Sequence, residues 1–143
     1  MPLREDILNP ISESAPGGQD LRYDPIYDKI KEARREEDDA PQGEWAHERK
    51  VADYRQVIKL ASEAIATRSK DLQLAAWLTE ALIHQEGYPG LREGISLIRG
   101  IVDGFWDTLY PEIEDGDLEL RAAPIEWVGS RLGAALAAVP MTP

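Results

Sequence analysis

The chain has 143 residues, a length that fits one domain with its own hydrophobic core. It holds no cysteine, which excludes disulfides and thiol chemistry, and its formal net charge of −11 disfavours binding to nucleic-acid phosphates. No stretch approaches the ~20 apolar residues of a membrane span, and no apolar run of signal-peptide length opens the chain. We therefore expect a soluble cytoplasmic protein without membrane insertion.

Residues 1–22 are rich in proline, serine and glycine and show no helical period. This composition predicts an extended N-terminal arm, a kind of segment that is ordered only where its side chains are tied down. Leu8, Ile11 and Leu21 are the candidates to fill grooves of the folded domain.

The first helix is expected to start at Asp24-Pro25, because a carboxylate suits the N-cap and proline suits the first helical position. The pattern continues through Arg34 and ends in the acidic run 36–39. Residues 40–52 have no determined structure in this interpretation.

Two further helices follow, and an aspartate is predicted to cap each of them. Asp53 precedes a helix that ends near residues 68–70, where basic side chains suit the negative helix end. Asp71 then caps a central helix that Gly87 closes. This helix is apolar around much of its circumference, so neighbours must cover it on several sides. Its apolar residues are Leu72, Leu74, Ala75, Ala76, Trp77, Leu78, Ala81, Leu82 and Ile83.

The longest predicted helix opens at Pro89 and stops at Pro111. Its glycines, Gly94, Gly100 and Gly104, each cost about 1 kcal/mol against alanine, which suggests close approach by another helix or by the arm. An apolar seam at helical spacing is expected to form its buried face. The seam residues are Leu91, Ile95, Ile98, Val102, Phe105 and Leu109.

The last helix spans residues 118–139, and Pro124 is a second candidate for its start. We therefore predict an all-α single domain of about five principal helices, stacked as antiparallel hairpins, with the helical part at residues 23–139 behind the extended N-terminal arm. Residues 140–143 are expected to begin a linker to an absent C-terminal region.

Several blocks of the chain carry a family resemblance. They are NPISESAPGGQDLRYDPIYDKI, KDLQLAAWLTEAL, EGYPGLREGISLIRG and FWDTLYPEIEDGD, in this order. Together they resemble the N-terminal ImpA-type domain of TssA-like components of the bacterial type VI secretion system, over roughly residues 8–128. The chain departs from the family's usual pattern at residues 17–20, where a cysteine and a glutamate are frequent.

The resemblance implies a non-catalytic protein–protein interaction domain that docks onto the baseplate or onto the tail sheath or tube during tail assembly. It also implies that the full-length protein forms a homo-oligomeric ring through its C-terminal part. The implied partners are therefore other type VI secretion components, and no cofactor is expected.

The residues favoured for partner contact lie at the end of the long helix and in the acidic loop after it. Aromatic side chains beside a polar rim are typical of interface hot spots, and carboxylates would steer a basic partner. The alternative at this place is that Trp106 and Tyr110 pack under the arm and fix the helix end. The predicted contact residues are Trp106, Asp107, Tyr110, Pro111, Glu114, Asp115 and Asp117.

Two other functions remain open from the sequence. One is an architectural domain that self-associates or packs on its own C-terminal region. The other is a metal-dependent hydrolase, for which the only support is the abundance of carboxylates. The groups that could hold a metal are Glu44, His47 and Glu48, and the acidic loop 114–117. Neither group has the spacing of a known zinc motif or of an EF-hand.

Overall fold

The computed structural model describes residues 3–36 and 50–137, and it confirms the all-α class, with five helices in this part of the chain. The helices are α1 (Pro25–Arg34), α2 (Tyr54–Thr67), α3 (Leu72–Glu86), α4 (Tyr88–Phe105) and α5 (Glu119–Ala137). The described residues form isolated β-bridges and no β-strand. None of these helices is long and apolar enough to cross a membrane.

Carboxylates cap the starts of α1, α2 and α3, as predicted. Each cap satisfies amide hydrogens that have no acceptor inside the helix, and each places negative charge at the positive helix end. The Asp24 side chain accepts a hydrogen bond of 2.9 Å from the Ile26 amide, and the Asp53 side chain accepts one of 3.1 Å from the Gln56 amide. The Asp71 side chain accepts two, from the amides of Gln73 and Leu74, at 2.7 and 3.2 Å.

Helix α3 is the centre of the domain, since it packs against α2, α4 and α5, while α1 packs on α2. Every residue from Leu74 through Ile83 is buried. The polar members are paired: Thr79 donates to a backbone carbonyl of its own helix, and Glu80 forms an ion pair of 2.9 Å with Arg34 of α1. The predicted need for cover on several sides of this helix is confirmed.

The buried face of α4 differs from the predicted seam. Of the seam residues, Ile95 is 48% exposed and Ile98 and Val102 are only partly buried. The apolar period was identified correctly, but the face that meets α3 lies to one side of it. The buried residues of α4 are Gly90, Gly94, Leu97, Ile101 and Phe105.

Two glycines explain this rotation of the helix. A Cβ at Gly90 would overlap the backbone carbonyl of Leu82, and a Cβ at Gly94 would overlap the side chain of Thr79. Glycine therefore lets the backbone of α4 approach α3 more closely than a seam of larger side chains would. A single residue, Gly87 (φ 69°), joins the two helices.

The prediction that other elements approach the remaining glycines of α4 is confirmed at one position and wrong at the other. Leu8 of the arm packs directly on Gly100, where a Cβ would overlap the leucine side chain. Gly104 has open space around its Cα, so no packing requirement explains it.

Helix α5 begins at Glu119, so the suggestion that Pro124 starts it is wrong. The side chain of Asp117 accepts a hydrogen bond of 2.8 Å from the Glu119 amide. The Ala122 amide donates to the Leu118 carbonyl, also at 2.8 Å. These bonds start the helix before the proline, which is buried inside α5 at the cost of one helical hydrogen bond.

Some sequence predictions lie outside the described residues. They concern the segment with Glu44, Trp45, His47 and Glu48, and the residues after 137, including the expected linker at 140–143.

Candidate interaction surface

The segment after α4, residues 106–111, is held in place through its backbone. The Tyr110 amide donates to the Lys70 carbonyl at 3.0 Å, and the Leu72 amide donates to the Tyr110 carbonyl at 2.8 Å. The peptide bond between Tyr110 and Pro111 is cis. The predicted contact residues in this segment are therefore fixed against the connection between α2 and α3.

Arg121 of α5 binds the same segment from another side. Its guanidinium donates to the carbonyl oxygens of Trp106, Leu109 and Pro111 at 2.7, 3.1 and 2.9 Å. The carbon of the guanidinium also lies 4.6 Å from the centre of the Trp106 ring, as in a cation–π contact. Burial lowers the pKa of Arg121, but an arginine remains charged at neutral pH. One buried side chain thus supports both the backbone after α4 and the indole ring.

Sequence reasoning missed this role, although one signal was present. Arg121 is the only basic residue between Asp103 and Glu126, in a stretch with eight acidic residues. A single cation in such a stretch suggests a specific acceptor, and here the acceptors are backbone carbonyls.

Trp106 lines a groove of about 480 Å³ between the N-terminal arm and the segment after α4. Trp106 is 42% exposed, and Arg121 lies over one part of its ring. The groove brings Trp106, Asp107 and Tyr110 of the predicted site together. Its lining residues are Ser14, Ala15, Pro16, Gly17, Gly18, Trp106, Asp107, Thr108, Leu109, Tyr110, Glu112, Ile113 and Arg121.

Tyr110 and Trp106 differ in how they meet the arm. The Tyr110 hydroxyl lies 3.5 Å from the Gly18 carbonyl, the side chain is half-buried, and burial raises its pKa. Tyr110 therefore follows the alternative in which it fixes the helix end under the arm. Trp106 keeps an exposed ring beside the arm.

The predicted acidic residues after Pro111 serve different structural purposes. Asp115 (φ 50°) and Gly116 (φ 76°) form the tip of a tight turn that the Asp117 amide closes on the Glu114 carbonyl at 2.7 Å. The Asp117 side chain caps α5, whereas Glu114 and Asp115 are exposed to solvent. Glu114 also lines a small cavity of about 40 Å³ with Tyr110, Pro111 and the buried Asp71, among others.

The support behind this surface is a buried polar connection, residues 69–71. The sequence pattern placed Lys70 at the basic end of α2 and Asp71 at the cap of α3, and it did not predict that Lys70 is buried. Lys70 is 0% exposed, and its ammonium donates to the carbonyls of Ile7 and Ile65 at 2.8 and 2.7 Å. Burial lowers the pKa of Lys70 to about 8 and raises the pKa of Asp71 to about 6. No local sequence signal distinguishes this lysine from a solvated one.

A comparison with protein-family models identifies the domain. The model described as ImpA, N-terminal, type VI secretion system matches residues 8–130. The chain belongs to this ImpA N-terminal family. The match covers the arm from Leu8, the two walls of the groove and α5 as far as Ser130, so the whole candidate surface lies within the family domain.

Two relatives support the assignment of the ImpA N-terminal domain to a TssA-type component. The chain is 29% identical over 111 residues to the type VI secretion system component TssA1 of Pseudomonas aeruginosa, and this match covers 78% of the chain and 32% of TssA1. It also resembles the solved N-terminal domain, including the conserved ImpA_N region, of the TssA component from Burkholderia cenocepacia. That likeness has a TM-score of 0.84 and 41% identity, and it covers 100% of the chain and 53% of the solved one.

The ImpA N-terminal domain described here thus spans about a third of the length of the curated relative. Within residues 3–36 and 50–137, no group of three or more histidine, cysteine, aspartate or glutamate side chains could hold a metal ion. The loop 114–117 forms a turn and a helix cap.

Proposed function

We propose that this domain is a non-catalytic interaction module of a TssA-like component in the bacterial cytoplasm. It docks the protein that carries it onto baseplate parts, or onto the tail sheath or tube, during tail assembly. The observation that carries the proposal is Trp106, a half-exposed indole held by Arg121 beside a groove with exposed carboxylates.

The chemistry of this surface favours a protein partner. An aromatic side chain that is already held in position loses little conformational freedom on binding, and tryptophan is enriched in interface hot spots. The exposed carboxylates of Asp107, Glu112, Glu114 and Asp115 favour a partner segment with basic side chains, chiefly by accelerating its approach.

The family supports the choice of partner class. Both relatives are named as TssA components of the type VI secretion system, so the docking partners are proposed to be other parts of that apparatus. The full-length protein is proposed to form a homo-oligomeric ring through a region outside this domain, which would present several copies of the surface at once.

A pull-down from the native cytoplasm tests the proposal, with the domain as bait and mass spectrometry as readout. We expect baseplate or tail components to be retained by the wild-type domain and lost with Trp106→Ala. The matched control is Tyr88→Ala, because Tyr88 is an aromatic residue of similar exposure, 45%, at the opposite end of α4. Equal retention by a folded Trp106→Ala variant would remove this surface from consideration.

The carboxylates need a separate experiment on the partner that the pull-down recovers. Replacing Glu114 and Asp115 by lysine leaves the Asp117 cap intact, and it is expected to slow association about tenfold at low salt with a smaller effect at high salt. An unchanged association rate would mean that these charges do not steer the partner.

A further inference from the structure

The N-terminal arm supplies one complete wall of the groove beside Trp106, and its fit there is tight. A Cβ at Gly17 would overlap the Thr108 carbonyl, so the arm backbone lies directly on the segment after α4. Two backbone hydrogen bonds also join the arm to the connection between α2 and α3. The Lys70 amide donates to the Gly17 carbonyl at 2.8 Å, and the Gln19 amide donates to the Arg68 carbonyl at 3.0 Å. The arm is therefore built into this surface.

A second attachment holds the beginning of the arm. The buried ammonium of Lys70 reaches the carbonyl of Ile7, 63 residues earlier in the chain, and also lies 5.4 Å from the centre of the Phe105 ring. Next to this bond, Leu8 packs on Gly100 of α4. A hydrogen bond from a charged donor is stronger than a neutral one, and its loss would leave a buried carbonyl without a partner.

The charge of the groove lining is uneven. Asp107 and Glu112 are exposed carboxylates, and Arg121 is the single cation among the residues that form the lining. Arg121 is only 4% exposed and directs its donors at backbone carbonyls, so it offers little to an incoming anion. Basic side chains complement this lining.

We propose that the arm and the segment after α4 form one composite binding groove for a basic segment of the partner protein, and that Lys70 is its positioning residue. Lys70 does not touch the partner; it holds the beginning of the arm at Ile7, and residues 14–18 farther along the arm contact the bound segment. This inference rests on the proposed docking function, and it adds the arm and Lys70 to the surface.

The first test maps where a basic peptide binds on the isotope-labelled 143-residue chain by NMR. The probe is a lysine-rich octapeptide with two leucines, and the control peptide has glutamate in place of each lysine. We expect the lysine peptide to shift the amide signals of Gly17 and Gly18 together with those of Thr108 and the Trp106 indole, and the glutamate peptide to shift none of them.

The outcomes separate this inference from the broader proposal. Shifts confined to residues 112–117, with the arm signals unchanged, would overturn the composite groove but keep an acidic docking surface. No binding of the lysine peptide at all would overturn both.

The second test asks whether Lys70 acts through the arm. Lys70→Met is expected to raise hydrogen exchange of the Gln19 amide and to weaken peptide binding, each about tenfold, while exchange in α3 changes little. Should this variant fail to fold, Leu8→Ser loosens the same part of the arm without altering a buried charge, and the same two effects are expected.

A disulfide provides the control for positioning. The chain has no cysteine, and residues 8 and 100 are in contact, so Leu8→Cys with Gly100→Cys can tether the arm. In the Lys70→Met background, oxidation should restore peptide affinity and reduction should abolish it again. If the oxidised and reduced forms bind equally weakly, Lys70 does not act by positioning the arm.

Discussion

The hydroxyl of Tyr27 donates a hydrogen bond of 2.6 Å to Oδ2 of Asp71, which joins α1 to the start of α3. The Tyr27 ring also meets Trp77 edge-on, with ring centres 5.1 Å apart. The other carboxylate oxygen of Asp71 accepts the amide hydrogens that α3 leaves unpaired. Burial raises the pKa of both groups. The pKa of Asp71, about 6, still lies below neutral pH, so at pH 7 the carboxylate is mainly ionised and the phenol is protonated.

Replacing Asp71 by alanine is expected to lower the free energy of unfolding by about 3 kcal/mol, since the helix cap and the acceptor of Tyr27 are lost together. Asp71→Asn should cost about 1 kcal/mol, because its amide oxygen can still accept from the helix. Urea denaturation at pH 7.5 measures both values. Equal losses for alanine and asparagine would show that the cap bonds contribute nothing.

The buried amine of Lys70 should give the stability a distinct pH dependence. Burial lowers its pKa from 10.5 to about 8, so between these values the unfolded chain holds a proton that the folded chain has released. The free energy of unfolding then rises with pH in this window, by up to about 1.4 kcal/mol per unit from this group.

Urea denaturation of the wild type and of Lys70→Met at pH 7, 8.5 and 10 measures this contribution as a difference. The free energy of unfolding of the wild type, relative to that of Lys70→Met, should increase with pH, because only the wild type has the amine. Lys59→Met, at an exposed position of α2, is the matched control. A difference for Lys70→Met that stays constant from pH 7 to 10 contradicts the lowered pKa.

Arg121 offers a prediction about the groove itself. Arg121→Met removes three hydrogen bonds to buried or half-buried backbone and is expected to destabilise the domain by about 3 kcal/mol. Arg121→Lys keeps the charge but not the planar fork of donors, so it should cost about 2 kcal/mol. Thermal unfolding monitored by circular dichroism measures both effects.

The matched control for this position is Arg99→Met. Arg99 is an exposed arginine of α4 that forms a surface ion pair with Asp103, at 3.5 Å, so its loss should change the stability by less than about 0.5 kcal/mol. If Arg121→Met is as mild as this control, the three carbonyl contacts do not support the segment after α4.

Two glycines of α4 should respond to alanine in opposite directions. Gly94→Ala places a methyl group against Thr79 and is expected to destabilise the domain by about 2 kcal/mol. Gly104→Ala meets open space and gains helix propensity, so it should stabilise the domain by about 0.5 kcal/mol. Chemical denaturation of the two single variants measures both changes in the free energy of unfolding. A stabilising Gly94→Ala would mean that α3 and α4 are not in close backbone contact there.

Features that depend on residues two or three positions apart were predictable from the sequence. The three aspartate caps are of this kind, since Asp24, Asp53 and Asp71 each bond an amide two or three residues later. The number of helices followed from the same local signals. The start of α5 was less certain because the sequence offered two starts, residue 118 and Pro124. In the structure the Asp117 cap selects the earlier one.

Features that depend on distant partners were not predictable. Lys70 has the sequence context of a solvated charge, and Arg121 is marked only as the single cation of an acidic stretch. Their acceptors lie up to 63 and 15 residues away, and only the fold brings them near. The buried face of α4 was misplaced for a related reason: hydrophobic periodicity favours large side chains, whereas Gly90 and Gly94 determine how closely α3 can approach.

The candidate surface likewise combines features that the sequence indicates with features that only the fold brings together. Trp106 and its acidic neighbours were proposed as contact residues from composition, because aromatic and charged residues together are typical of interfaces. The arm was placed over Trp106 and Tyr110 only as an alternative, since nothing in residues 14–18 indicates that they form a wall of a groove.

The connection between α2 and α3 is a loop by its backbone and part of the interior by its burial. Ser69, Lys70 and Asp71 are each at most 1% exposed, whereas the turn at Asp115 and Gly116 is open to solvent. Loops are ordinarily the places where a domain gains or loses residues. In this domain an inserted residue between α2 and α3 would displace the arm and the groove together. Insertions and deletions, natural or engineered, should therefore be tolerated at the acidic turn instead.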